Sequence, residues 1–299
     1  MKLRTIQTHH QGYPALLRAV SSPPELWIRG EVIEADALAV AIVGSRRATP
    51  YGVEVAEGLA ADLAARGVTI VSGLARGVDT AAHRGALTAG GRTIAVLGCG
   101  IDVAYPPENT RLAAEIAGHG AVLTQFPPGT APRAEHFPAR NRILAGLALG
   151  VVVVEATERS GALITARLAG ELGREVLAIP GRITSETSAG PNGLIADGAK
   201  LVRSWTDVVQ ELPEPWRRAV AAVPVATDAE IPALETEEGT VLAMLRVDEP
   251  QHVEHLIAGS GLPAGRVVAS LAVLEIAGRA RQLAGQRWLA APPARARKV

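Results

Sequence analysis

Six short apolar runs rich in β-branched residues recur along the first two thirds of the chain, at 40–43, 68–72, 93–97, 121–125, 151–155 and 175–179. Stretches of helical character lie between most of them, at about 50–66, 78–89, 110–118, 139–148 and 162–172. Continuous runs of this kind read as strands buried on both faces. Strands alternating with helices imply βαβ units, and so an α/β fold with a parallel sheet covered by helices on both sides. Such sheets take ligands beyond the carboxyl ends of their strands. The search for function therefore narrows to the segments that follow each run.

The first of these is the most informative. Val40 to Gly52 reads VAIVGSRRATPYG: a strand, a turn at Gly44, then Ser45, Arg46 and Arg47, with Thr49 and Pro50 as N-cap and first helical position. Two guanidiniums beside a helix N-terminus predict an anion site in which free N–H groups and the helix dipole face the ligand. The second segment, Ser72 to Asp79, brings Ser72, Gly73 and Arg76, and the third Gly98-Cys99-Gly100 and Tyr105-Pro106. The fourth reads as a long loop, Phe126 to Arg142, holding Arg133, Phe137, Arg140, Asn141 and Arg142. Glu155 and Ser160-Gly161 follow the fifth strand, and Pro180-Gly181-Arg182 the sixth.

Several of these residues admit two readings. Phe137 stacks on a base or anchors its loop. Arg140 reaches a phosphate. Asn141 holds the loop or bonds a base, and Arg142 contacts phosphate or pairs with Glu155. The Ser-Gly pairs at 72–73 and 160–161 approach a phosphate with backbone N–H groups or serve tight turns. Asp79 reads as an N-cap, with His83 as a structural hydrogen-bond partner.

Thirty basic and 30 acidic residues leave no net charge, so only local distribution can point to a polyanion. One cysteine, Cys99, excludes an intrachain disulfide framework and fits a reducing compartment. No apolar run approaches the roughly 20 residues of a membrane span, no His/Cys cluster has zinc spacing, and no cofactor is expected. A cytoplasmic protein without a membrane partner is the expectation.

The domain reading places a short lead-in at 1–38 and a Rossmann-like domain at 39–211. An acidic linker follows at 212–238, with six acidic residues against two basic. Three helical segments (239–246, 251–259, 264–277) and a ribbon at 279–289 make 239–292 a winged-helix domain, followed by a basic tail at 293–299. Its expected recognition helix, AGRVVASLAVLEIA, offers one arginine and one glutamate, which favours protein or weak phosphate contact over reading of base edges.

Taken in order, Ala41-Ile-Val-Gly-Ser-Arg46, Ser72-Gly-Leu-Ala-Arg-Gly-Val-Asp79 with His83, Tyr105-Pro106, Phe137-Pro-Ala-Arg-Asn-Arg142, Glu155-Ala with Ser160-Gly-Ala-Leu-Ile-Thr165, and Pro180-Gly181 resemble the DNA-processing protein A (DprA/Smf) family. The resemblance runs from about Tyr13 to Val209. It implies an extended Rossmann-like fold that binds single-stranded DNA, usually as a dimer. It also implies help in loading the RecA recombinase during natural transformation, as a mediator rather than an enzyme. On this reading the anion is the phosphate backbone of single-stranded DNA, held by Gly44, Ser45, Arg46, Arg47, Ser72, Gly73, Arg76, Arg133, Phe137, Arg140, Asn141, Arg142, Ser160 and Gly161. The resemblance also places a homodimer interface at the end of the Rossmann domain, with Leu194, Ile195, Leu201 and Val202 as apolar candidates.

The alternative is a Rossmann-like enzyme that hydrolyses nucleoside monophosphates. Relatives of that type use a Pro-Gly-Gly-x-Gly-Thr loop, and Glu155-Ala-Thr-Glu-Arg-Ser-Gly161 lacks it. A dinucleotide fingerprint is incomplete at Gly44-Ser45-Arg46.

Overall fold

All six β-branched runs are strands, and they lie in one nine-stranded sheet. In chain order the elements are β1 (Arg4–Ile6), α1 (Ala15–Arg18), β2 (Leu26–Gly30), β3 (Ala39–Val43), α2 (Pro50–Ala64), β4 (Thr69–Ser72), α3 (Val78–Thr88), β5 (Thr93–Val96), α4 (Thr110–His119), β6 (Ala121–Thr124), α5 (His136–Leu147), β7 (Gly150–Val153), α6 (Gly161–Glu171), β8 (Glu175–Ala178), α7 (Glu186–Ala196), β9 (Lys200–Leu201), α8 (Trp205–Gln210) and α9 (Glu214–Ala221). This computed structural model describes residues 3–221, 236–246 and 249–290, and the chain divides into two units at 225/226.

The strand order is β1-β2-β6-β5-β4-β3-β7-β8-β9. Strands β3 to β9 run parallel to one another, so their carboxyl ends share one edge. From β3 the chain builds outward through β4, β5 and β6. It then returns to place β7 on the other side of β3. The order therefore reverses between β3 and β7, where an open α/β sheet has its ligand crevice. Every residue of β3 to β7 is buried, which explains why their sequences run apolar without alternation. Successive residues still face opposite ways. Ala39, Ala41 and Val43 join a core with α1, α5 and α6, whereas Val40 and Ile42 join one with α2 and α3.

Three boundaries differ from the sequence reading. From residue 3 on, the expected lead-in is part of the sheet unit. β1 and β2 extend the sheet, with β2 antiparallel to β6, and Leu17, Leu26 and Ile28 are fully buried. The expected loop from 126 to 142 ends early: α5 begins at His136, so Phe137, Arg140, Asn141 and Arg142 are helical. The acidic linker begins late, because 214–221 form α9, whose Val220 is buried against the α2–α3 side of the sheet. Residues 222–235 of the expected linker and the basic tail at 293–299 lie outside the described residues.

The second unit has three helices, α10 (Glu237–Met244), α11 (Val253–Ser260) and α12 (Ala264–Ile276). A small sheet accompanies them, formed by β10 (Gln251–His252), β11 (Ala280–Leu283) and β12 (Arg287–Ala290) in the order β10-β12-β11. Val241, Leu256, Val267, Leu271, Leu274 and Trp288 form its core. This is the winged-helix arrangement expected. The exposed side of α12 carries Val268, Val273 and Ile276, and its one cation, Arg266, is paired with Glu237. Among the described residues no single helix is long and apolar enough to cross a membrane.

Candidate nucleic-acid interface

The carboxyl edge of the sheet gathers the turns after β3, β4, β5 and β7 with the start of α5. Gly44 to Ala48 form the turn after β3. There the Ser45 hydroxyl accepts the Arg47 N–H at 3.0 Å, and the Ser45 carbonyl accepts the Val78 N–H at 3.2 Å. Arg46 and Arg47 project from this braced turn. Both are exposed, and among the described residues neither guanidinium forms an ion pair. The Arg46 guanidinium lies over the Phe137 ring, 4.7 Å from its centroid. The Tyr105 ring packs on Phe137 at 5.7 Å, tilted by 42°. Phe137 is half-buried, seated against Gly98, where a β-carbon would come within 2.9 Å of the ring. An exposed cation and two aromatic rings thus share one place at the strand ends. Phosphate recognition and base stacking require that combination.

The other expected contacts are distributed differently. Ser72 is fully buried and its hydroxyl donates to the Ile42 carbonyl at 2.7 Å, so it ties β4 to β3. Arg140 is 4% exposed. Its Nη1 donates to the Val96 carbonyl at 2.7 Å, and its guanidinium lies on the Cα of Gly73, in space that a β-carbon would occupy. Gly73 is therefore a seat for Arg140 rather than a cradle for phosphate. Asn141 is also buried and donates to the Gly161 carbonyl at 3.2 Å, which joins α5 to α6. Arg142 turns to Ser21, bonding its carbonyl at 2.9 Å and its hydroxyl at 2.6 Å, and does not pair with Glu155. Arg76 is exposed but engaged with Glu108. Arg133 is exposed, 3.8 Å from Glu135. Ser160 caps α6 by accepting the Ala162 N–H at 3.3 Å, leaving Gly161 exposed at the first helical position.

A charged cluster lies beneath this surface. Burial pushes the Asp79 carboxyl above the usual carboxylate range, against the pull of Arg140 and the Ala75 N–H. Burial lowers the Arg140 guanidinium, and Asp79 opposes that. Asp79 is not the N-cap of α3, a position held by Gly77; it accepts the Ala75 N–H at 3.2 Å. His83 does not pair with Asp79. Its Nδ1 lies 2.7 Å from the Thr93 hydroxyl, which donates to the Ile70 carbonyl, so Nδ1–H is the donor. Burial, with Arg140 nearby, holds His83 down to about 3, and it is neutral at physiological pH. Cys99 is free and buried, with burial pushing its thiol up to about 11. Among the described residues no group of His, Cys, Asp and Glu is arranged to hold a metal ion.

Three residues of this edge have no role assigned from sequence. Tyr105 has a ring contact that only folding creates. Arg159 and Arg182, in the turns after β7 and β8, are exposed and unpaired among the described residues. Their position directly after strands is the signal that marks them.

The dimer candidates also separate. Val202 is 1% exposed and belongs to the core. Leu194 and Ile195 are half-buried, and Leu194 packs on the α5–α6 side. Leu201, on the edge strand β9, is 43% exposed.

The family model for DNA recombination-mediator protein A matches residues 4–213, and that for the DprA winged helix domain matches 225–286. The DNA processing protein DprA of Bacillus subtilis is 42% identical over 214 residues, 71% of this chain and 72% of that protein. The X-ray structure of DNA processing protein A from Streptococcus pneumoniae superposes with a TM-score of 0.67 at 45% identity, covering 71% of this chain and 75% of the other. The Helicobacter pylori DNA processing protein A, whose structure concerns a single-stranded DNA binding mode, gives a TM-score of 0.63 at 31% identity, over 71% and 98% of the two chains. With the expected sheet, the winged helix and a cation–aromatic surface at the strand ends all present, the chain belongs to the DNA recombination-mediator protein A family.

Proposed function

We propose that this protein binds single-stranded DNA along the carboxyl edge of its sheet and, as a homodimer in the cytoplasm, helps load a RecA recombinase during natural transformation. The observation that carries the reading is the exposed Arg46 guanidinium stacked on Phe137. Arg46 and Arg47 take phosphates, and Phe137 with Tyr105 takes a base. Arg133, Arg159 and Arg182 extend the cationic edge. The single-stranded DNA binding of the Helicobacter pylori relative supports the ligand class. The buried Cys99 thiol fits a reducing compartment.

Titration of oligothymidine over a range of salt concentrations tests this. Removing one phosphate contact lowers the slope of log affinity against log salt by about 0.7–1. Arg46→Ala is expected to lower both the affinity and the slope by that single increment. An unchanged slope removes Arg46 from the interface.

The dimer reading now centres on Leu201, with Ile183, which is 95% exposed in the segment between β8 and α7. An edge strand with exposed apolar side chains suits a second copy. Leu201→Arg is expected to halve the mass seen by light scattering. A mass that does not change places the interface elsewhere.

A further inference from the structure

Where the strand order of an open α/β sheet reverses, a nucleotide phosphate ordinarily sits against a helix N-terminus. In this protein that seat, between β3 and β7, is filled from within. Glu155 leaves the end of β7 and lays its carboxylate on the first turn of the 15-residue helix α2. Its Oε2 accepts the Thr49 N–H at 2.9 Å. Its Oε1 accepts the Thr49 hydroxyl at 2.6 Å and the Thr187 hydroxyl at 3.2 Å. The Thr49 hydroxyl in turn accepts the Gly52 N–H at 3.2 Å, which links the carboxylate to the helix cap. Glu155 is 3% exposed, and Gly52 carries no side chain where its carboxylate lies. The anion site predicted from Gly44 to Gly52 therefore exists, but its anion is covalently part of the chain.

We infer that Glu155 is a specificity-determining residue: a resident anion that keeps free phosphate and mononucleotides out of the Rossmann crevice. Anionic ligands are then left to the side chains of Arg46 and Arg47 at the rim. The physical reason is that one positive helix end accommodates one anion. A second would face the Glu155 charge at hydrogen-bond distance and find the Thr49 and Thr187 donors already engaged. The inference concerns only access to the α2 N-terminus, and it holds whether or not the rim binds DNA.

Removing the carboxylate should open the seat. The test is made in the full chain carrying R46A and R47A, so that the rim cannot take the probe. Thermal unfolding is followed at constant ionic strength in chloride, inorganic phosphate, AMP or formate. With Glu155 intact, none of the three probe anions is expected to shift the transition relative to chloride. With Glu155→Ala, phosphate at about tenfold excess over its dissociation constant should raise the melting temperature by about 3–6 °C, with AMP or formate acting likewise. Glu155→Gln, whose amide still fills the seat, should respond to none. The inference is overturned if the Glu155 protein responds as strongly as E155A, or if E155A shows no anion-specific shift. If E155A does not fold in chloride, recovery of folded protein on refolding into phosphate supports the inference, and recovery in neither salt refutes it.

Discussion

Arg140→Ala is expected to destabilise the sheet unit by about 3–5 kcal/mol, the range for truncating a large buried side chain to alanine. That corresponds to a fall in melting temperature of about 6–20 °C. From its place after the fourth strand-like run, this arginine reads as a phosphate ligand whose replacement by glutamate abolishes binding without unfolding. The structure gives it another role. Its guanidinium is 4% exposed, bonded to the Val96 carbonyl and laid on Gly73. It also opposes the burial that raises the Asp79 carboxyl. Truncation at Cβ leaves Asp79 buried with weaker compensation, frees the Val96 carbonyl and opens a void at the strand ends. Arg140→Glu, which sets a second carboxyl beside Asp79, should be worse still. Any effect on DNA then follows from displacement of Phe137, three residues earlier on α5. Differential scanning calorimetry on R140A beside R46A separates the roles, since R46A removes an exposed side chain and should leave the melting temperature within about 2 °C. An R140A transition that stays with wild type would return Arg140 to the binding surface.

The second large effect is on affinity. Phe137→Ala should weaken oligothymidine binding by about 1–3 kcal/mol, or about 5–150-fold, the range for removing a base–aromatic stack. Because Arg46 lies 4.7 Å from the Phe137 centroid, the two side chains should not act independently. Each holds the other in place, so the R46A/F137A double variant should lose less than the sum of the single losses, by about 0.5–1 kcal/mol. Salt distinguishes the contributions. The R46A defect should shrink as salt rises, because a phosphate contact is electrostatic, whereas the F137A defect should persist. Strict additivity in fluorescence-anisotropy titrations would show that Arg46 and Phe137 meet the strand at separate places. An F137A defect that vanished at high salt would argue against stacking.

Much of the architecture is legible in the amino-acid sequence. Each of the six runs is a strand and each intervening helix lies within a few residues of its expected place, because burial on both faces of a parallel sheet demands continuous apolar sequence. Thr49-Pro50 caps α2 as read, since capping depends on the residue and its immediate neighbours. β1 and β2 escape assignment to the sheet because they join it at an antiparallel margin outside the βαβ alternation, and the partner of β2, β6, lies far along the chain. The helical start of α5 is hidden because Pro138 sits in its first turn, where proline is tolerated but reads as loop.

What the sequence determined alone is therefore local or periodic: the α/β fold, the edge where the strand ends gather, and the turn after β3 that carries Arg46. What only tertiary structure decided is which charged groups face solvent. Arg46, Arg140 and Arg142 look alike in the chain, yet one stacks on a ring in the open, one is sealed over Gly73 and one is tied to Ser21. Glu155 reaches the cap of α2 across 106 positions of sequence. The environment of a side chain is set by neighbours distant along the chain, and no local pattern encodes who they will be.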